Sequence, residues 1–147
     1  MFKSLKFGLI TALPIILITG WLLVSMYLLN LTLNMVTATT TAMSVGIGID
    51  YSIHLVERYR HERRNGLGIT EGMTKSLQTT GLGLFGSMGT TLAGFLVLSF
   101  GKIGMMKSFG VLASLVIIFA YVSAVIVLPE MLVGSEKIAE WLHRKRR

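Results

Sequence analysis

The chain has no cysteine. A disulfide framework, a thiolate metal site and a thiol nucleophile are therefore excluded. Charge is also scarce: Asp, Glu, Lys and Arg make up 14% of the residues, where a soluble domain carries about 25%. No nucleophile–base–acid set, pair of carboxylates, phosphate-binding glycine loop or metal-ligand cluster appears. These absences argue against an enzyme, and no metal or cofactor is expected. Gly46-Ile-Gly-Ile-Asp50 lacks the third glycine of a dinucleotide fingerprint and lies in an apolar run, away from any strand-to-helix turn. No internal repeat and no nucleic-acid-binding motif is found. The net charge of +7 is thus not read as a nucleic-acid signature.

Apolar residues are abundant, at 52% of the chain with a mean hydropathy of +0.69. They fall into four stretches, 7–29, 35–56, 81–100 and 109–128. Each is long enough to cross about 30 Å of hydrocarbon as a helix, and each must be helical to satisfy its backbone there. Pro14 is expected to bend the first span. That span exceeds the apolar core of a signal peptide and has no cleavage site after it. The sequence therefore predicts an all-α membrane protein, a bundle of four transmembrane helices over residues 1–134. Twelve of the fourteen lysines and arginines fall on one side of these spans, leaving Lys102 and Lys107 on the other. The positive-inside rule then places both termini and the loop 57–80 in the cytoplasm of a multi-pass cell (plasma or inner) membrane protein, with lipid headgroups as partners.

The loop 57–80 should extend the second helix through Arg64, turn at Asn65-Gly-Leu-Gly68, and form a short amphipathic helix over 71–79 capped by Thr70. Met73 and Leu77 would lie on the membrane surface. The tail 135–147 reads as a basic amphipathic anchor, with Ile138, Trp141 and Leu142 on one face.

Asp50 is the residue most in need of explanation. A carboxylate in hydrocarbon costs about 2.5–3.5 kcal/mol on insertion scales, and Asp50 lies only roughly 6–8 Å from the middle of its span. Helical spacing puts Thr39, Met43, Gly46, Asp50, His54 and Glu57 on one face, with Tyr51 turned about 100° away. Gly46 and Gly48 permit close approach of another helix. The third span offers a matching stripe, Gly83, Ser87, Thr90 and Gly94, bordered by Gly86 and Thr91. Packing of the second span on the third would shield Asp50 and bring Ser87 and Thr90 to it. Burial raises a carboxyl pKa when no cation is near, so Asp50 suits a proton relay that Tyr51, Ser87, Thr90 and His54 could join. The plainer readings are a polar clamp for Asp50, packing for Tyr51, Ser87 and Thr90, and an interface residue for His54.

The string Gly46-Ile-Gly-Ile-Asp-Tyr-Ser-Ile-His-Leu-Val-Glu-Arg-Tyr-Arg-His-Glu62 resembles the Gly-x-Gly-x-Asp-Tyr helix of the resistance-nodulation-division (RND) superfamily, particularly its MMPL-type, hydrophobe-exporting branch. Thr70-Glu-Gly-Met with Thr79-Thr-Gly81, Gly94-Phe-Leu-Val-Leu-Ser-Phe100, Phe109-Gly-Val-Leu and Leu128-Pro129 resemble the elements that follow in that family. The resemblance covers about Phe2 to Leu132. It implies the last four helices of one six-helix half, with Asp50 and Tyr51 in a proton relay and Ser87 and Thr90 on the facing helix. The first two helices of the half, its extracytoplasmic domain and the other half are missing from the pattern. The chain would thus need a partner chain, or a second copy, to export lipids or other hydrophobic compounds. Alternatives are a non-transporting structural or regulatory module, of sterol-sensing or SecD/SecF type, and a truncated gene remnant.

Overall fold

A computed structural model describes residues 5–145 of the chain. It comprises α1 (Leu5–Leu28), α2 (Met35–Arg64), α3 (Ile69–Ser76), α4 (Leu82–Ser99), α5 (Gly104–Val122) and α6 (Leu128–Lys145). No strand occurs among the described residues. A π-helical turn, Leu77–Gly81, joins α3 to α4, and a second, Ser123–Val127, joins α5 to α6. The result is two continuous rods. Ile69–Ser99 and Gly104–Ile138 are each long and apolar enough to cross a membrane. α1 adds the shorter apolar stretch Ala12–Leu28. α2 is more polar, with its run of threonines from Thr37 to Thr41 and with Asp50.

The ends of the helices are set by local chemistry. Asn30 takes a positive φ of 53°, the left-handed conformation that asparagine tolerates after a helix. Leu31 N–H then bonds back to Met26 O at 2.9 Å. Four residues later Asn34 caps α2: its side chain accepts from Thr37 N–H at 3.0 Å, and Thr37 Oγ1 accepts from Asn34 N–H at 2.8 Å. This reciprocal box satisfies two of the orphan donors at the start of the helix. Beyond Arg64 the chain reverses at Gly66, whose φ of +89° requires glycine. Pro129 lies just inside α6, directly after the second π turn. A proline ring collides with the carbonyl four residues back, and a widened turn relieves that collision.

α1, α2 and α5 form the core. Leu22 and Met26 of α1 meet Leu112 and Val116 of α5, with Ile47 of α2 against them. One layer further along, Ile18, Tyr51, Leu84, Ala120 and Ala124 close together. Beyond that, Leu55, Val56 and Tyr59 pack with Met73, Leu128 and Leu132. α4 stands outside this core on α5. The two close until a Cβ at Gly110 would lie 2.5 Å from Ser99 N and 2.7 Å from Phe95 O. Phe95 and Phe109 stack edge-on beside this contact, 5.6 Å apart.

The structure departs from the sequence reading in three places. The short helix begins at Ile69 with Gly68 at its cap, two residues before Glu71. Met73 and Leu77 turn into the protein, against Leu55, Val56, Tyr59, Leu128 and Leu132. The amphipathic face thus packs on helices, because the extended α2 and α6 offer it an apolar surface. The stripes of the second and third spans do not pack on each other. The tight α4–α5 hairpin claims one side of α4, and α5 packs on the Tyr51 side of α2, which leaves the Asp50 side, where α4 was expected, open. In the tail, Ile138 and Trp141 are both exposed, while the side chain of Leu142 and residues 146–147 fall outside the described set.

Because Gly110 meets backbone, which cannot move aside, Gly110→Ala should lower stability by roughly 1–3 kcal/mol in detergent. Gly104→Ala, in open space, should be close to neutral. Thermal unfolding of the two variants checks this.

Candidate functional site

α2 carries two distinct faces. Thr37, Thr40, Ser44, Gly48, Tyr51 and Leu55 recur every three or four residues and are all buried. The hydroxyls on this face are satisfied within the helix itself: Thr40 Oγ1 donates to Val36 O at 2.9 Å and Ser44 Oγ to Thr41 O at 2.6 Å. Small side chains here let α1 approach closely. A Cβ at Gly48 would meet Ile18 Cδ1 at 2.7 Å.

The other face carries Thr39, Gly46, Asp50, His54 and Glu57, and every one of them is exposed. The expected enclosure of Asp50 by the chain's own helices is therefore absent. The reason is the placement of α5, which covers the Tyr51 side of α2 and leaves the Asp50 side open.

Of the residues expected to work together, the structure joins two. Tyr51 is buried among Ile18, Leu84, Ala120 and Ala124. Ser87 and Asp50 both lie near enough to its hydroxyl to influence it. Thr90 is exposed and gives its hydroxyl to its own helix, at 3.0 Å from Ser87 O. Gly83, Gly86 and Gly94 also face outward, with no atom within 4 Å of a Cβ built on any of them. Gly46 is equally open. Asp50 and Gly46 on α2, and Ser87, Thr90 and the glycines of α4, therefore lie on exposed faces of their own helices.

A second polar cluster, at the far end of α2, was not singled out from the sequence. Glu62 is almost completely buried, at 1% exposure. Arg58 Nη2 lies 2.6 Å and Lys75 Nζ 3.0 Å from its carboxylate oxygens. The Lys75–Glu62 pair fastens α3 to α2, and Arg58, one turn before Glu62 on α2, adds a second cation to it. On the opposite side Tyr59 Oη donates to Glu136 Oε2 at 2.8 Å, and Arg63 Nε lies 3.2 Å from the same atom. This fastens α6. The spacing Arg58-x-x-x-Glu62 was a legible signal. The partners Lys75 and Glu136 come from elements that only the fold brings near.

The hydrogen bond from Lys75, strengthened by the charges of Lys75 and Arg58 and opposed by burial, holds the Glu62 carboxyl below its ordinary value. A lowered value means that the pair stabilises the fold at neutral pH. That contribution is lost as pH falls through the lowered folded value. Proteolysis at 65–68 should accordingly accelerate in acid. Glu62→Gln should be cut faster at neutral pH and lose the acid dependence.

Two helices long and apolar enough to cross a membrane, with a shorter apolar stretch in α1, fit an α-helical membrane protein. The chain belongs to the MMPL family, whose model matches residues 4–147. It is 35% identical over 125 residues to a membrane protein of Methanocaldococcus jannaschii, covering 85% of this chain and 32% of that one. It is 29% identical over 93 residues to the sulfolipid-1 exporter MmpL8 of Mycobacterium tuberculosis, covering 63% of this chain and 8% of the exporter. A Niemann-Pick type C1-related protein of Toxoplasma gondii is 26% identical over 132 residues, covering 90% of this chain and 11% of the relative. The chain thus spans about a third of the first relative's length and about a tenth of the other two. No solved structure matches it. The family places it among MMPL/RND-type membrane proteins.

Proposed function

We propose that the chain is the proton-coupling, membrane-embedded part of an RND-like exporter of lipids or other hydrophobic compounds. On this reading α1, α2, the α3–α4 rod and the α5–α6 rod make four spans, with both termini in the cytoplasm. The observation that carries the proposal is the open faces of α2 and α4. Among the described residues no helix covers Asp50, and the exposed faces carry Gly46 beside it on α2 and Gly83, Gly86, Ser87, Thr90 and Gly94 on α4. A carboxylate there is tolerable in hydrocarbon once another helix lies over it, and small residues are what admit a helix closely. The cover comes from a partner chain that supplies the remaining helices and the extracytoplasmic domain, or from a second copy.

Once covered, Asp50 has no lysine or arginine of this chain at its depth, and an ionisable group enclosed in a membrane bundle is suited to a proton pathway. It can then take a proton from one side and release it to the other as the cover shifts. Tyr51, held in the core with Ser87 near its hydroxyl, passes that proton or orients the carboxyl. His54, one turn towards the charged end of α2, leads outward.

Asp50→Asn keeps the shape and removes the titration. In the assembled system it should abolish proton-driven export while leaving protein abundance unchanged, and normal export by that variant would contradict the proposal. Tyr51→Phe keeps the buried ring. It should leave thermal stability within about 1.5 kcal/mol of the native chain and slow export, measured in the same transport assay.

A further inference from the structure

We propose that the cavity between the start of α2 and the α4–α5 hairpin holds one acyl chain of an anionic membrane lipid. The cavity measures about 450 Å³, within the span of about 300–1,000 Å³ found for small-ligand sites. Met35 and Thr39 of α2 line one side, Leu98 of α4 another, and Met105, Met106 and Phe109 of α5 complete it. Thr39 is the one polar side chain of this wall, and its hydroxyl already donates to Met35 O at 2.8 Å. The side chains therefore offer a ligand no free hydrogen-bonding group. Such a lining suits methylenes and penalises a polar occupant.

Helix packing sets the shape. The close contact at Gly110 fixes α4 against α5, and Phe95, edge-on to Phe109 at 5.6 Å, holds the ring that lies within the lining. The rim is pliable instead. Met35, Met105 and Met106 are exposed at 84%, 59% and 44%, so their unbranched side chains have room to adjust to an occupant. A fixed aromatic surface under a methionine rim fits a flexible chain.

A lipid tail gains no hydrophobic free energy by moving from bilayer hydrocarbon into an apolar cavity. Retention then depends on the enclosing contacts and on the head. Charge at this end of the molecule selects the head. Lys102 lies in the α4–α5 connection, three residues before Met105, and is exposed. Every aspartate and glutamate of the chain falls within residues 50–71 or 130–140. Asp50, on the same helix as Thr39, is eleven residues and about 17 Å further along it. No carboxylate on α2, α4 or α5 near this end offsets Lys102, so an anionic headgroup is favoured over a zwitterionic one. Lys107 stands two residues from both Met105 and Phe109 on α5, faces roughly the other way, and provides a control. The proposal rests on the membrane reading above but makes no use of Asp50. Its test measures no transport, so it and proton coupling can fail separately.

The full chain is reconstituted in phosphatidylcholine nanodiscs with a trace of either phosphatidylglycerol or phosphatidylcholine carrying a diazirine in one acyl chain. After irradiation, labelled residues are read by peptide mass spectrometry. The phosphatidylglycerol probe should label Met105, Met106 and Phe109 above Leu82 and Ile126, which are exposed apolar residues outside the cavity. It should do so about fivefold more than the phosphatidylcholine probe, the effect of one lysine near a membrane surface. Lys102→Gln should abolish that fivefold preference, and Lys107→Gln should keep most of it. Thr39→Trp, at an exposed position of the wall, fills the cavity and should lower labelling there to the level at Leu82. If that variant unfolds, the lysine variants decide alone. Labelling of the cavity no stronger than at Leu82 and Ile126 would overturn the proposal, since the lipid would then be bulk solvent. Equal labelling by the two probes would also overturn it, as would a preference lost with Lys107→Gln and kept with Lys102→Gln. Displacement of the phosphatidylglycerol probe by an equal amount of palmitate would overturn the lipid assignment in favour of a free fatty acid.

Discussion

If α2 spans the membrane as proposed, its carboxylate at Asp50 has to be covered, and that requirement bears on the whole arrangement around α2. Leaving the acid bare at the middle of a bilayer costs about 2.5–3.5 kcal/mol on insertion scales. That is a large share of a domain's net stability. A chain carrying Asp50 on such a helix must surround the helix with others or share it with a neighbour. This chain does the first on one side only. α1 and α5 bury the hydroxyl-bearing face of α2 down to Tyr51, while the Asp50 face stays clear. The division explains why α2 can be the least apolar of the long helices. The buried hydroxyls of Thr40 and Ser44 bond to their own backbone, so they ask nothing of the lipid.

The remaining parts serve to hold α2 still. At one end the reciprocal cap of Asn34 and Thr37 fixes its start. At the other, Glu62 and Glu136 tie its extension to α3 and α6. Between these anchors both long rods pass through a π turn, at the end of the bundle where Tyr51 and Leu84 meet the core. π turns in otherwise regular helices are frequent at working sites. Here one is explained by Pro129, and the other, at Leu77–Gly81, receives the Tyr121 hydroxyl on Gly81 O at 3.5 Å.

Much of this was legible in the residues. The apolar runs gave the all-helical class, the extension of α2 through Arg64 and the turn at Gly66. The spacing of Thr39, Gly46, Asp50 and His54 gave a continuous face, and so it is. The neighbour of that face was not legible. Spacing shows which residues share a side of one helix, whereas Gly110 decides which helices touch, and its role depends on Phe95 and Ser99 across a hairpin. Met73 and Leu77 misled for a similar reason. An apolar pair on a short helix fits a membrane surface as well as it fits other helices, and only the extension of α2 and α6 beside it selects the second. Glu62 was passed over because a glutamate in a basic string looks solvated until Lys75 is folded onto it.

The central claim is that Asp50 changes protonation beneath a covering helix. Infrared difference spectroscopy of the assembled transporter, with the carboxyl band assigned by comparison with an Asp50 variant, tests it most directly. The account expects a protonated-carboxyl band that titrates within the working pH range and sits at the frequency of a dry environment. A carboxyl ionised across that whole range, or one with the frequency of a fully hydrated group, would contradict it.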